Sequence, residues 1–212
     1  MTRIIGGTAG GRRLETPHGH ATRPTSDRVR EALFSAIESW AGTLSGLRFL
    51  DLYAGSGAVG LEARSRGASA VTLVEQDRRT ATLISSNVRM LGFTGVDVVP
   101  TSVTTALVRP PGSAYDVVFA DPPYPLPDDE VEAMLGLLVA HDWMAPGALV
   151  VVERGRRGSS HRWPAGIEGW RDKRYGETVL RYGHAADPEQ DPERDPQEDP
   201  DQAPDPSDEP EE

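Results

Sequence analysis

The chain has 212 residues, 22 basic and 33 acidic side chains, no cysteine and a formal charge of −11. Without cysteine neither a disulfide framework nor a thiolate metal site can form; no apolar run approaches the roughly 18 residues that span a bilayer, and the opening MTRIIGG lacks a secretory hydrophobic region. The expectation is a monomer in the cytoplasm, one catalytic domain with at most a small appendage, and neither a metal nor a membrane partner.

The charge is distributed unevenly. From Ala185 to Glu212 stand thirteen acids, seven prolines and one arginine, so that segment carries −12 and residues 1–184 only +1. Within the latter, residues 1–30 hold +4, residues 31–152 hold −7 and residues 153–184 hold +4. Basic ends around an acidic middle are either an ordinary solvated surface or a footprint for phosphates.

In chain order, residues 1–26 read as a basic extension with a small β-hairpin: IIGG, AGGRRLETP and HGHATRP are strand-like pieces broken by glycine. His18 and His20 fall there as loop residues. Asp27 to Trp40 sets Val29, Leu33, Phe34 and Ile37 at helical spacing, with Ser26 and Asp27 as candidate caps. Five apolar runs follow, Arg48–Tyr53, Ala70–Glu75, Val96–Pro100, Tyr115–Asp121 and Ala148–Glu153. They read as strands buried on both faces. Helical patterns alternate with them at Val59–Arg66, Arg78–Leu91, Thr104–Val108 and Asp128–His141; Asp77 caps the second and Gly92 stops it. This alternation predicts an α/β doubly wound domain over residues 27–184. Trp170–Arg174 and Thr178–Tyr182, around Tyr175-Gly176-Glu177, read as a hairpin completing the sheet, and Trp143, Trp163 and Trp170 as core or edge aromatics. Residues 185–212, with a DPEQDPER repeat and almost no apolar residue, are expected to be disordered. A solubility tail is the plain reading of that segment. Electrostatic mimicry of nucleic acid, folding back on the basic face, is the sharper one.

DLYAGSGAVG places Gly55, Gly57 and Gly60 between a strand and a helix, with Glu75 twenty positions after Gly55. The pattern suits an adenosine ligand whose ribose hydroxyls meet a carboxylate, and glycine lets backbone approach it closely. NAD and S-adenosylmethionine both fit. Asp51, just before the turn, would repel a pyrophosphate and suits an ammonium, which favours the methyl donor. The cofactor set is Asp51, Tyr53, Gly55, Ser56, Gly57, Glu75, Gln76 and Ser102.

YDVVFADPPYP is the most specific stretch. Asp121 ends a strand, where open α/β sheets place their ligands; Pro122 and Pro123 stiffen the backbone and leave carbonyls facing the site; Tyr124 adds a flat stacking face. Acceptors for two hydrogens, a rigid frame and a stacking surface suit a planar exocyclic amine. Its lone pair is delocalised into the ring. Hydrogen bonds to Asp121 and the Pro122 carbonyl would localise that lone pair and aim it at a donor methyl.

RIIGGTAGGRRLETP, TRPTSDRVREALFSAI, DLYAGSGAVGLEARSRGA, VEQD and DPPY together resemble the RsmD-type bacterial 16S ribosomal RNA guanine-N2 methyltransferases, over about residues 2–183. The resemblance implies a Rossmann-like sheet of seven strands with the last antiparallel, S-adenosylmethionine as cofactor and one guanine of small-subunit ribosomal RNA as substrate. By position it implies that Asp51, Gly55 and Gly57 line the methionine part, Glu75 the ribose, and Asp121 to Tyr124 the guanine amine. The Asp that this family often carries beside adenine is absent, because the segment reads Thr101-Ser102-Val103; Ser102 is the substitute. A 16S rRNA partner would account for the basic ends, where Arg12, Arg13, Arg23, Arg28, Arg30, Arg154, Arg156 and Arg157 are candidate phosphate contacts. Arg23 with Thr25 is also a candidate closure over the site. Within the same chemistry the alternative is an adenine-N6 methyltransferase on DNA or RNA; from other classes, an NAD-dependent oxidoreductase or a non-catalytic RNA-binding module.

Overall fold

Short runs of Val, Leu and Phe become strands here because helices cover both of their faces, and the amphipathic segments between them supply those helices. The computed structural model describes residues 2–17, 26–123, 125–156 and 161–187. In order the elements are β1 (Thr2–Arg3), β2 (Arg13–Leu14), α1 (Asp27–Ala41), β3 (Arg48–Leu52), α2 (Ala58–Ser65), β4 (Ala70–Val74), α3 (Arg78–Leu91) and β5 (Val96–Val99). Then come α4 (Val103–Leu107), β6 (Tyr115–Ala120), α5 (Asp128–Ala140), β7 (Met144–Gly155), β8 (Ile167–Tyr175) and β9 (Thr178–Ala185). Seven strands form one sheet in the order β5-β4-β3-β6-β7-β9-β8. β9 pairs antiparallel with both β7 and β8, and the remaining pairings are parallel. The order reverses between β3 and β6, which opens a crevice at the carboxyl ends of those two strands.

Alternation along each strand divides the core in two. Phe49, Val117, Phe119, Leu149, Val151, Leu180 and Tyr182 face α1, α2 and α3, whereas Leu50, Leu52, Val118, Val150 and Val152 face α4 and α5. The stripe expected on α1 is buried: Leu33, Phe34 and Ile37 are fully enclosed, each contributing about 1.5–3 kcal/mol by leaving water. Ser26 Oγ accepts the Val29 N–H at 3.3 Å, and Asp77 Oδ1 accepts the Thr80 N–H at 2.8 Å. Gly92 ends α3 at φ +68°, in the left-handed region that glycine occupies without strain.

The N-terminal hairpin, with Thr2 opposite Leu14, encloses one 3-10 turn and packs Ile4, Ala9 and Leu14 on Ala58 and Leu61 of α2. Its polar fastening is Glu62, which is fully buried. Glu62 accepts the Ile5 N–H at 2.6 Å, the Gly6 N–H at 2.8 Å and Arg66 Nε at 2.8 Å.

Two elements depart from the sequence expectation. β7 starts at Met144 rather than Ala148, and a register shift between Tyr115 and Val117 of β6 absorbs three extra residues between Met144 and Leu149. The final hairpin is longer than its alternation indicated, and β9 takes in Ala185, which is buried there rather than opening the tail as its position beside the acidic repeat suggested. Gly169 and Gly183 interrupt the pattern because Trp163 crosses both; a Cβ on Gly169 would lie 2.5 Å from that indole. No helix among the described residues is long and apolar enough to cross a membrane.

Candidate active site

The loop from β3 to α2 turns back sharply. Tyr53 has φ +62°, Gly55 +55° and Gly57 +77°, so three of five consecutive residues are left-handed. Tyr53 does so without being glycine, a local strain that the surrounding structure must hold. The Ala54 N–H donates to the Val74 carbonyl at 2.9 Å. Glu75 completes the tie: its Oε2 accepts the Gly55 N–H at 2.9 Å and its Oε1 the Asp77 N–H at 2.8 Å. Each oxygen keeps a lone pair, so the carboxylate is aimed yet still able to accept a sugar hydroxyl. Gly60 serves packing, since a Cβ there would come within 2.8 Å of Leu73 and 3.1 Å of the Asp51 carboxylate.

Asp51 lies in β3 with its side chain buried, and its Oδ2 accepts the Gly60 N–H at 2.8 Å. Burial pushes its carboxyl up to about 7, with Glu75 adding to the rise and the Gly60 bond opposing it. Asp121 follows β6, half-buried, its N–H donating to the Leu52 carbonyl at 3.3 Å. It too is raised well above the ordinary carboxylate range, first by burial, then by the charges of Glu153 and Asp51, against the lowering effect of Arg154. Alternation along β3, β6 and β7 sends Asp51, Asp121 and Glu153 to the face shared with α1 and α2. Three acids thus gather at the carboxyl ends of three neighbouring strands, beside the glycine loop. Among the described residues no group of three or more His, Cys, Asp or Glu could hold a metal ion.

Glu153 escaped the sequence reading, where it merely closed a strand. Its signal was its parity with the apolar positions before it: Leu149, Val151 and Glu153 share one face, so an acid there enters the core.

Of the other expected residues, Pro122 is buried and Pro123 exposed. The Pro123 carbonyl accepts the Leu126 N–H at 2.8 Å, so it serves the turn that leads into α5. Ser102 caps α4, accepting the Thr105 N–H and donating its hydrogen to Thr105 Oγ1 at 2.8 Å; toward adenine it offers a lone pair only. Gln76 is exposed and Ser56 half-buried. Tyr124, Arg23, Thr25 and Arg157, like His18 and His20, lie outside the described residues.

The arginines divide sharply. Arg12, Arg13 and Arg28 are exposed, Arg12 donating to the Met90 carbonyl at 3.0 Å, and Arg156 stands 4.0 Å from Glu177. Arg30 and Arg154 correct the expectation of surface phosphate contacts, because both are buried. Arg30 donates to the Arg3 carbonyl at 2.7 Å and Asp27 at 2.9 Å, joining the hairpin to α1. Arg154 donates to the Leu126 carbonyl at 2.7 Å and Asp128 at 3.1 Å, and so anchors the segment after Pro123.

A reversed β9 inside an otherwise parallel seven-stranded sheet, a glycine loop after β3 and an Asp-Pro-Pro turn after β6 define a Rossmann-like methyltransferase. Residues 2–184 match the family model described as Conserved hypothetical protein 95, and the chain belongs to that family, the RsmD-type methyltransferases. It is 36% identical over 179 residues to "Ribosomal RNA small subunit methyltransferase D" of Escherichia coli K12, covering 84% of this chain and 87% of that one. It is 32% identical over 157 residues to the "Putative rRNA methyltransferase YlbH" of Bacillus subtilis, covering 73% and 83%. Among solved structures, a putative methyltransferase, yhhF of E. coli, superposes with a TM-score of 0.78 at 34% identity, covering 87% of this chain and 98% of that chain.

Proposed function

We propose that this chain transfers a methyl group from S-adenosylmethionine to the exocyclic N2 amine of a guanine in 16S ribosomal RNA of the small subunit. The observation that carries the reading is the gathering of Asp51, Asp121 and Glu153 beside the glycine loop, with Asp51 raised by burial and Glu75, and Asp121 by burial, Glu153 and Asp51. Such a cluster favours a ligand that brings positive charge and disfavours a pyrophosphate. S-adenosylmethionine, with its ammonium and sulfonium, fits on that count; NAD does not. Asp51 and the backbone of Gly55 and Gly57 would hold the methionine part, with Tyr53 and Ser56 in the same loop. Glu75 would hold the ribose, with Gln76 beside it, and Ser102 would accept from adenine.

When bound, the donor supplies a methyl electrophile on a sulfonium. The work of the chain is to present the amine. Asp121 and the Pro122 carbonyl accept its two hydrogens, which favours a pyramidal nitrogen with its lone pair aimed along the line of transfer. Positive charge beside Asp121 stabilises its carboxylate form, the form that accepts. Arg154, by holding Leu126 and Asp128, keeps the Asp-Pro-Pro turn in register with β7. The base must leave its stack to reach this turn. Guanine is assigned by family resemblance, and ribosomal RNA also by the names of the relatives.

The test is transfer of a radiolabelled methyl group to small subunits that lack the modification, followed by nucleoside analysis. N2-methylguanosine is the expected product. N6-methyladenosine would replace the base assignment, and NAD binding without S-adenosylhomocysteine binding would overturn the enzyme class.

A further inference from the structure

Apart from the reaction centre, one surface among the described residues combines a largely exposed aromatic with positive charge. β8 is the outer strand of the sheet, and its register against β9 slips between Gly169 and Arg171, leaving Trp170 as the extra residue of a bulge. The slip turns the indole outward. Trp170 is 47% exposed, one of three large apolar side chains so exposed among the described residues; Met90 and Val108 lie on other elements. The Arg171 guanidinium sits 3.8 Å from the centre of the Trp170 ring and 5.1 Å from that of Tyr182. Its Nε is shut off from solvent and makes no hydrogen bond. His184 lies 5.0 Å from Trp170. Lys173, the only lysine in the chain, is exposed on the same face of β8, opposite Leu180.

We propose that this face of β8, built on Trp170, Arg171 and Lys173, is a second RNA contact: an unpaired base stacks on the open part of the Trp170 indole, and Arg171 and Lys173 neutralise its phosphates. The inference rests on RNA being the substrate. Stacking on an aromatic face flanked by cations is the general chemistry of single-strand binding, and it tolerates any base. The distance suits it. In register, Arg171 lies opposite Tyr182, Tyr182 opposite Val151 and Val151 opposite Phe119, two residues before Asp121. Three strand spacings and two residue rises come to about 16 Å, a span that a few nucleotides cover. A second copy of the chain pairing along β8 is disfavoured, because an edge carrying Glu168, Asp172, Lys173 and Arg174 blunts strand addition.

The test uses the full chain, small subunits lacking the modification, and a fluorescently labelled single-stranded RNA 12-mer. Trp170→Ala is expected to raise KM for small subunits and Kd for the 12-mer about tenfold, with kcat and S-adenosylhomocysteine binding unchanged; Trp170→Phe restores most of the loss. Lys173→Glu, a solvent-exposed change that preserves the fold, is expected to weaken 12-mer binding and lower its log–log salt slope by about one. Unchanged 12-mer binding in both variants overturns the proposal. So does weakened subunit binding with unchanged 12-mer binding, which hands the surface to a ribosomal protein, or a parent dimer that Trp170→Ala dissociates. If the parent binds S-adenosylhomocysteine and RNA but methylates neither substrate, the functional assignment fails while the 12-mer still decides the surface.

Discussion

Glu62 and Asp51 are both acids that water does not reach, and the molecule treats them in opposite ways. Glu62 receives two backbone N–H groups and the Arg66 guanidinium, which also bridges to Glu38 at 2.9 Å. Asp51 receives the Gly60 N–H and faces the charge of Glu75, and Asp121 faces Glu153. A buried acid whose partners are all supplied from within holds the fold together. One left short of positive charge by its own chain is prepared for a charge from outside.

The contrast breaks most directly at Asp121. Asp121→Ala is expected to lower methyl transfer about 10³-fold while S-adenosylhomocysteine binding persists; full activity would remove Asp121 from the mechanism. On the other side, Glu62→Ala leaves the Arg66 guanidinium with Glu38 alone and strands two N–H groups, and should cost about 2–5 kcal/mol in chemical denaturation. A loss below about 1 kcal/mol would mean that Ile4, Ala9 and Leu14 hold the hairpin alone. The sharper test concerns protons. Because Asp51 titrates higher in the folded chain than its ordinary value of 3.8, the folded state binds its proton more tightly, and this group's contribution to stability declines as pH rises from about 4 to about 7. Asp51→Asn keeps an acceptor for Gly60 and removes the titration. The variant should therefore gain on the ligand-free parent across that window, and parallel pH–stability curves would refute the raised pKa. The smallest effect is expected from deleting residues 188–212, which should leave the thermal transition in place.

Much of this was legible beforehand. Apolar runs marked the five parallel strands β3 to β7, Asp77 and Gly92 bracketed α3, and the glycine loop and Asp-Pro-Pro turn stood out by residue type. Arg30 and Arg154 did not, because counting charge along a segment says nothing about which way a side chain faces. The finer signal was available: Arg30 lies on the helical stripe of Leu33, Phe34 and Ile37, and Arg154 continues the alternation of Val150 and Val152. Glu62 was less accessible. Its partners at Ile5 and Gly6 are more than fifty residues away, and local periodicity cannot register a contact of that range.

The reversal of β9 has a consequence for how the molecule meets a polyanion. Running against its neighbours, β9 starts beside Gly155 near the Asp121 end of the sheet and finishes at Ala185, beside Ile167, at the opposite pole. The described chain therefore leaves the sheet, at Asp187, from the pole remote from the reaction centre, whereas Arg156 stands at the other. Were the acids that follow in the sequence held near that point of departure, they would repel a nucleic acid from that pole and turn the crevice toward it before first contact, an alignment that salt would weaken.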